Sequence, residues 1–417
     1  RGNRYRGQWG HVTRAAFELI FLSRARILLA MNKLQYGEDT GWDYHSRDIP
    51  RFTEYMRRNF ERRMRWQIVK ITEDADALRD APILMVAGTK PLAFSQEDWA
   101  KLREYALRGG MLVFVPVMNN KAYSESAKKG LTELFAPQRE LSGSHYELKA
   151  LDQDHPVYVG YNTIDKGPMR VPAWGVSDGA RLIVPRLRRD ICESWQRFAV
   201  DRGKLDFQMG ANIFRYAVGD NESLTTALPV FRAPLREHRR TVRVGWLRHG
   251  GHWYTQPFAL NYLSKKLEVE NYIRIEPTVG VAPDVEKMKA HDLIWITGVD
   301  ELGLSEDEID AIGKYIDSGG TVFINAVGGS RDFDRSARTV VRRLVRDLSM
   351  SEAALTEESP LLTGRCGDYR GPRIEKLGPT DQTVEFMKRV PKAKPFDLYR
   401  AGDRIALIVA PHGIHDT

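Results

Sequence analysis

His249 and His252 stand two residues apart in the glycine-rich stretch RHGGHW, and Asp300 and Asp332 follow in later loops. Imidazoles converging with carboxylates can hold zinc or pass protons. A single histidine pair is a weak signal, because histidine-bearing loops also pack over sheet edges, so no metal is assigned. The stretch has neither Gly-x-Gly-x-x-Gly nor Gly-Lys-Ser/Thr, and no nucleotide or other cofactor is expected. Asp152 and Asp154 flank His155 just ahead of Pro156. That spacing could orient an imidazole, but no nucleophile is at hand for it to serve. Cys192 reads as a structural thiol. With Cys366 it makes only two cysteines, too few for a disulfide framework, and Cys-x-x-Cys is absent.

These residues need elements to position them, and the chain supplies those elements twice. A shift of 210 positions (109 to 319) lays LREYALRGGMLVFVPV on IGKYIDSGGTVFINAV without a gap. Gly88 then falls on Gly298, Ser95 on Ser305 and Tyr105 on Tyr315. RILLAMN at Arg26 corresponds to VRVGWLRHG at Val242, and ARLIVPRLR at Ala180 to DRIALIVAPHG at Asp403. The period is far too long for a solenoid, so a whole domain is duplicated.

Short apolar runs alternate with helical segments. This predicts strands at about 26–31, 66–71, 83–87 and 111–116, with helices at about 48–60 and 96–108, in an α/β sandwich whose parallel sheet is buried on both faces. Ser95 and Ser305 sit at the N-cap, with Asp98 and Glu308 three residues on. Gly109 and Gly319 supply the left-handed stop. The domain expectation is an extension at 1–23, a first domain at 24–220, a linker at 221–240, and a second domain at 241–417 that stops short of its last elements.

In a parallel sheet of this kind, ligands bind beyond the carboxyl ends of the strands. The candidate loops carry Asn32, Trp42, His45, Gly88, Asn119 and Asn120 in the first copy. In the second they carry His249, His252, Trp253, Gly298, Asp300, Asn325 and Asp332. A strand-tip nucleophile would need Ser or Cys on a tight turn. Val115-Pro116-Val117 and Asn325-Ala326-Val327 offer neither.

The chain has 417 residues and a net charge of +8, from 63 basic and 55 acidic side chains. Its arginine clusters, at 57–65, 186–189 and 338–346, are interspersed with acids. They read as solvated faces, and nucleic acid is not an expected partner. AAFELIFLSRARILLAM is interrupted by Arg24 and Arg26, so no membrane span is expected. The chain opens on Arg1 without Met, which raises the expectation of a removed upstream segment, such as a secretion signal or anchor.

Several elements recur in a known order. They are Pro82, Phe94-Ser95, Tyr105, Gly109-Gly110, Asp154-His155-Pro156, Asp190, Trp195, Gly210, Asn212 and Tyr216. In this the first copy resembles the bacterial domain-of-unknown-function family 4159, while the second matches mainly through its helix, Gly-Gly and strand. The family looks related to class I glutamine amidotransferases, including trehalose-utilisation-like proteins. The resemblance implies flavodoxin-like sandwiches. It would place the amidotransferase cysteine near Pro116 and Ala326, where none stands. It also implies an extracytoplasmic location, periplasmic or membrane-associated. The expectation is a non-catalytic protein that binds a small ligand or a partner chain, with self-association left open. The alternative is a hydrolase acting on a carbohydrate-like substrate through the loop histidines and carboxylates of the second copy.

Overall fold

A computed structural model describes residues 28–61, 63–142, 144–165, 167, 170–218, 237–356, 358–366, 369–370 and 396–411. The expected N-terminal extension, the first two residues of the strand at 26–31 and most of the linker at 221–240 lie outside them. The chain divides into two compact units. One comprises Arg1–Leu134, Leu148–Gly175 and Ile183–Pro229; the other comprises Phe135–Glu147, Val176–Leu182 and Val230–Thr417.

The first sheet has seven strands: β1 (Leu28–Gln35), β2 (Met64–Lys70), β3 (Ile83–Gly88), β4 (Met111–Pro116), β5 (Lys149–Ala150), β6 (Ala173–Ser177) and β7 (Leu182–Leu187), in the order β2-β1-β3-β4-β7-β6-β5. The pairs β1/β2, β1/β3, β3/β4 and β4/β7 are parallel, and β5/β6 is antiparallel. The second sheet uses β8 (Arg240–Leu247), β9 (Ile273–Val281), β10 (Leu293–Gly298), β11 (Thr321–Ala326), β12 (Ser351–Ala353), β15 (Asp397–Ala401) and β16 (Arg404–Ala410); β13 (Arg365–Cys366) and β14 (Tyr369–Arg370) form a separate hairpin. Its order, β9-β8-β10-β11-β16-β15-β12, repeats the first position for position. The second copy therefore reaches the full seven-strand sheet by Ala410. The first copy follows β7 with helices Cys192–Arg197 and Lys204–Val218. Counterparts of these would come after β16, where the described residues end at 411.

Every residue of β3 and β4 is buried, as a strand covered on both faces requires. In the second unit Ile309, Ile312 and Ile316 of helix Glu306–Asp317, with Phe333, Val341 and Leu344 of helix Arg331–Asp347, pack with Val322 and Ile324. A second cluster of Trp246, Trp253, Trp295 and Leu260 brings in helix Ala259–Asn271.

Both expected capping boxes form. Ser95 Oγ accepts from Asp98 N at 3.1 Å while Asp98 accepts from Ser95 N at 3.0 Å, and Ser305 and Glu308 do the same at 3.3 and 2.8 Å. The two glycines after each helix meet separate needs. Gly109 and Gly319 have φ of 114° and 103°. A Cβ on Gly110 or Gly320 would lie 2.3 or 2.2 Å from the ring of Tyr105 or Tyr315. Those tyrosines donate to equivalent carbonyls, Ala81 and His291.

The copies part at the turn after the fourth strand. The left-handed residues there are Met118 and Asn119 (φ 55° and 54°) in one copy, and Gly328 and Gly329 (φ 59° and 66°) in the other. An L side chain in this region costs roughly 1–2 kcal/mol. Met118 is 62% exposed, so its side chain recovers little through packing. Met118→Gly is therefore expected to raise the stability of the first unit, by about 1 kcal/mol or less after the glycine entropy cost. Urea unfolding checks the sign, and a loss of stability would refute the strain argument.

Candidate binding site at the strand ends

In the first unit, the carboxyl ends of β1, β4 and β7 meet over a buried polar network. Lys33, on β1, is 2% exposed. Its ammonium donates to Asp43 Oδ1 (2.9 Å), His45 O (2.9 Å) and Asp48 Oδ1 (2.8 Å), which uses all three protons. Burial works against its charge, but Asp48 and Asp43 outweigh that and lift its pKa above the ordinary lysine value. Asp190, just past β7, accepts four bonds. Its Oδ2 takes His45 Nε2 (3.0 Å) and Met118 N (2.7 Å), and its Oδ1 takes Cys192 N and Glu193 N. Asn119 Oδ1 in turn accepts from Asp190 N at 2.8 Å. Cys192 is a free, fully buried thiol, and burial pushes its pKa well up, which makes it inert. The network ties three strand-end loops together and leaves its lysine and carboxylate saturated.

Beside this network, two tyrosines crowd the end of β3. Tyr36 donates to Ala87 O and Tyr123 to Val86 O, so both tyrosines lie over the end of β3. A Cβ on Gly88 would stand 2.1 Å from the Tyr36 hydroxyl and 2.9 Å from the Tyr123 ring, which is why glycine stands there.

The second unit is open at the corresponding place. A cavity of about 420 Å³ lies at the loops after β8 and β10. These loops flank the point where the strand order reverses, because β8 lies between β9 and β10. His249, His252, Trp253 and Asp300 line it, together with Arg248, Glu308 and His145. His145 Nε2 is 2.8 Å from Asp300 Oδ2, and its ring centroid lies 4.2 Å from that of His252. His252 Nε2 donates to Asp178 O at 2.8 Å. His249 is held at both nitrogens: Nδ1 accepts from Gly251 N (3.1 Å) and Nε2 donates to Thr297 O (3.0 Å). It is neutral, and burial takes its pKa down to about 4.

The glycines of RHGGHW serve loop packing. A Cβ on Gly251 would meet Glu301 O at 2.0 Å, and one on Gly250 would meet Gly303 O at 2.8 Å. Gly250 N already donates to Gly303 O. Both glycine N–H groups are thus committed inside the protein and are not presented to a phosphate.

The structure brings His45 and Asn119 together through Asp190, and it gathers His249, His252, Trp253 and Asp300 around one cavity. The other sequence candidates lie elsewhere. Asn32 is buried, with its amide on Leu78 O, and Trp42 is buried in the loop after β1. Asn120 caps the following helix through Tyr123 N. Gly298 faces the Phe333 ring, and Asn325 is fully buried in β11. Asp332 pairs with Arg335 at an exposed helix start, away from the histidines it was considered with. His155 caps the helix Pro156–Val159 through Nδ1, so it orients backbone. Lys33, Asp48, Arg248 and His145 were not singled out from sequence.

Among the described residues, no group of three or more His, Cys, Asp or Glu is arranged to hold a metal ion, and no helix is long and apolar enough to cross a membrane. The arginine-rich helix Arg331–Asp347 is threaded with acids: Arg338 meets Asp334 and Asp397, and Arg343 meets Glu306, Asp310 and Asp347.

A family model described as Domain of unknown function (DUF4159) matches residues 30–218 and again 242–362. The chain matches no curated protein. The residues that carried the resemblance have structural work in the first unit. Trp195 stacks on Phe52 at 4.0 Å, Gly210 lets both rings approach, and Asn212 bridges Asn162 and Val157.

Proposed function

We propose a function from one premise: this chain belongs to the DUF4159 family, whose domain it carries in two copies. On that premise the protein is a non-catalytic binding or assembly protein built on two flavodoxin-like, amidotransferase-like α/β units, with its ligand seat at the strand ends of the second. The strand order supports the relationship. The tight turn after the fourth strand lies at Met118 and Gly328, two residues beyond Pro116 and Ala326, and carries no Ser or Cys either.

One observation carries the reading. The second unit keeps an open cavity at its topological switch point, the usual place for a ligand in such a sheet. Meanwhile Lys33, Asp190 and His249 are taken up by internal hydrogen bonds. The test is a saturation-transfer NMR screen of mixed polar metabolites against the full chain and against Leu141→Trp. Leu141 lines the cavity and is 48% exposed, so the substitution narrows the cleft without disturbing the core. Compounds that bind the native chain and fail on Leu141→Trp are expected. A screen in which no compound distinguishes the two would defeat the reading.

The hydrolase alternative draws support from the His145–Asp300 pair, a carboxylate-oriented imidazole facing the same cleft. Turnover of a bound compound by the native chain but not by His145→Asn would put this reading first.

A further inference from the structure

We propose that the cleft of the second unit takes an uncharged polyhydroxylated molecule of mono- or disaccharide size; this rests on the binding reading above. The lining mixes both charge signs without a surplus of donors. Arg248 is exposed, and its guanidinium has no partner among the described residues. Facing the same space are the carboxylates of Asp300 and Glu308 and the imidazole of His145.

An anion fits poorly. It would meet two carboxylates, and the N–H groups of both loop glycines are already committed, Gly250 N to Gly303 O and Gly251 N to His249 Nδ1. A cation would meet Arg248. A hydroxyl suits both sides, because it donates to a carboxylate oxygen and accepts from the Arg248 guanidinium. Glu308 has one oxygen on Ser305 N and Asp300 one on His145 Nε2, so each carboxylate keeps an oxygen for a ligand. Leu141 and Pro283 add an apolar part to the wall that can meet the C–H face of a ring, while Trp253 is buried behind it in the core. The cavity, about 420 Å³, lies within the range of roughly 300–1,000 Å³ that small-molecule sites occupy.

The test is titration calorimetry on the full chain with five probes: glucose, maltose and myo-inositol as neutral polyols, and gluconate and glucosamine as charged counterparts. Arg248→Met and Asp300→Asn change exposed side chains, and their folding is checked by circular dichroism. The expected result is binding of at least one neutral polyol, weakened ten-fold or more by each variant. If gluconate or glucosamine binds ten-fold tighter than every neutral probe, the ligand class is wrong while the cleft remains a binding site. Neutral binding that both variants leave unchanged would place the ligand elsewhere and overturn the proposal. Binding of none of the five also overturns it, and the Leu141→Trp screen then decides separately whether the cleft binds anything.

Discussion

Lys33→Met is expected to destabilise the first unit by about 3–5 kcal/mol, the usual cost of removing one partner of a buried ion pair. Lys33 and Asp48 are 2% and 1% exposed, and their charged atoms are 2.8 Å apart. Without the ammonium, Asp48 is a carboxylate out of water whose remaining backbone donor is the adjacent Ile49 N–H. Asp43 and the His45 carbonyl lose a donor as well. The penalty thus comes from orphaned acceptors more than from lost attraction, and this can be separated experimentally. Replacing the pair together, as Lys33→Met with Asp48→Leu, should recover most of the loss, because a well-packed apolar pair often matches a buried ionic one. Urea unfolding of the two variants reads both numbers. A single variant within 1 kcal/mol of the native chain would show that Asp48 is already neutral in the fold. A double variant as damaged as the single one would show that the loop needs the polar geometry itself.

The helix, Gly-Gly and strand of each copy were legible because their signals are local. Ser95 with Asp98, Gly109 and the apolar run after it each report on a few neighbouring residues. The duplication made them firmer, since the same contacts recur 210 positions on, down to Leu92 N and Leu302 N each meeting a serine hydroxyl, at Ser126 and Ser336. The strand-end loops were legible as places, because the sheet order dictates them. Their chemistry was not. A lysine inside the apolar run LLAMNKLQ did carry a signal: on a strand buried on both faces it must find counter-charges, and the loop that follows offers Glu38, Asp39, Asp43 and Asp48, of which sequence alone could not pick the last two. Asp190 could not be read that way, because its four donors come from three loops far apart in the chain. His145 gave still less warning. It stands in the first copy by sequence, yet segment Phe135–Glu147 belongs to the second compact unit. The alignment of the copies therefore pointed away from the residue that pairs with Asp300.

The acid sensitivity of the second unit should depend strongly on His249. Its pKa is about 4 in the folded chain, against about 6.5 for an unperturbed imidazole. The unfolded chain therefore binds more protons between these two values, and stability falls as pH drops through that window. The contribution is fully present above about pH 6.5 and is gone near pH 4, below which the folded chain also protonates and the slope flattens. A difference of that size corresponds to roughly 3 kcal/mol at about 1.4 kcal/mol per pH unit. The cause is geometric. Protonating Nδ1 would set a second N–H against the Gly251 N–H that it now accepts, inside a nearly water-free loop junction. His249→Gln removes the titration while keeping a side chain that can donate toward Thr297 O. It should be less stable than the native chain at pH 7, yet lose about 3 kcal/mol less between pH 7 and pH 4. Hydrogen exchange of peptides from β8 and β10, corrected for intrinsic rates at each pH, reads both quantities. Equal losses in the two proteins would mean that His249 is accessible to protons in the folded state, and that the loop after β8 opens readily instead of forming a fixed wall of the cleft.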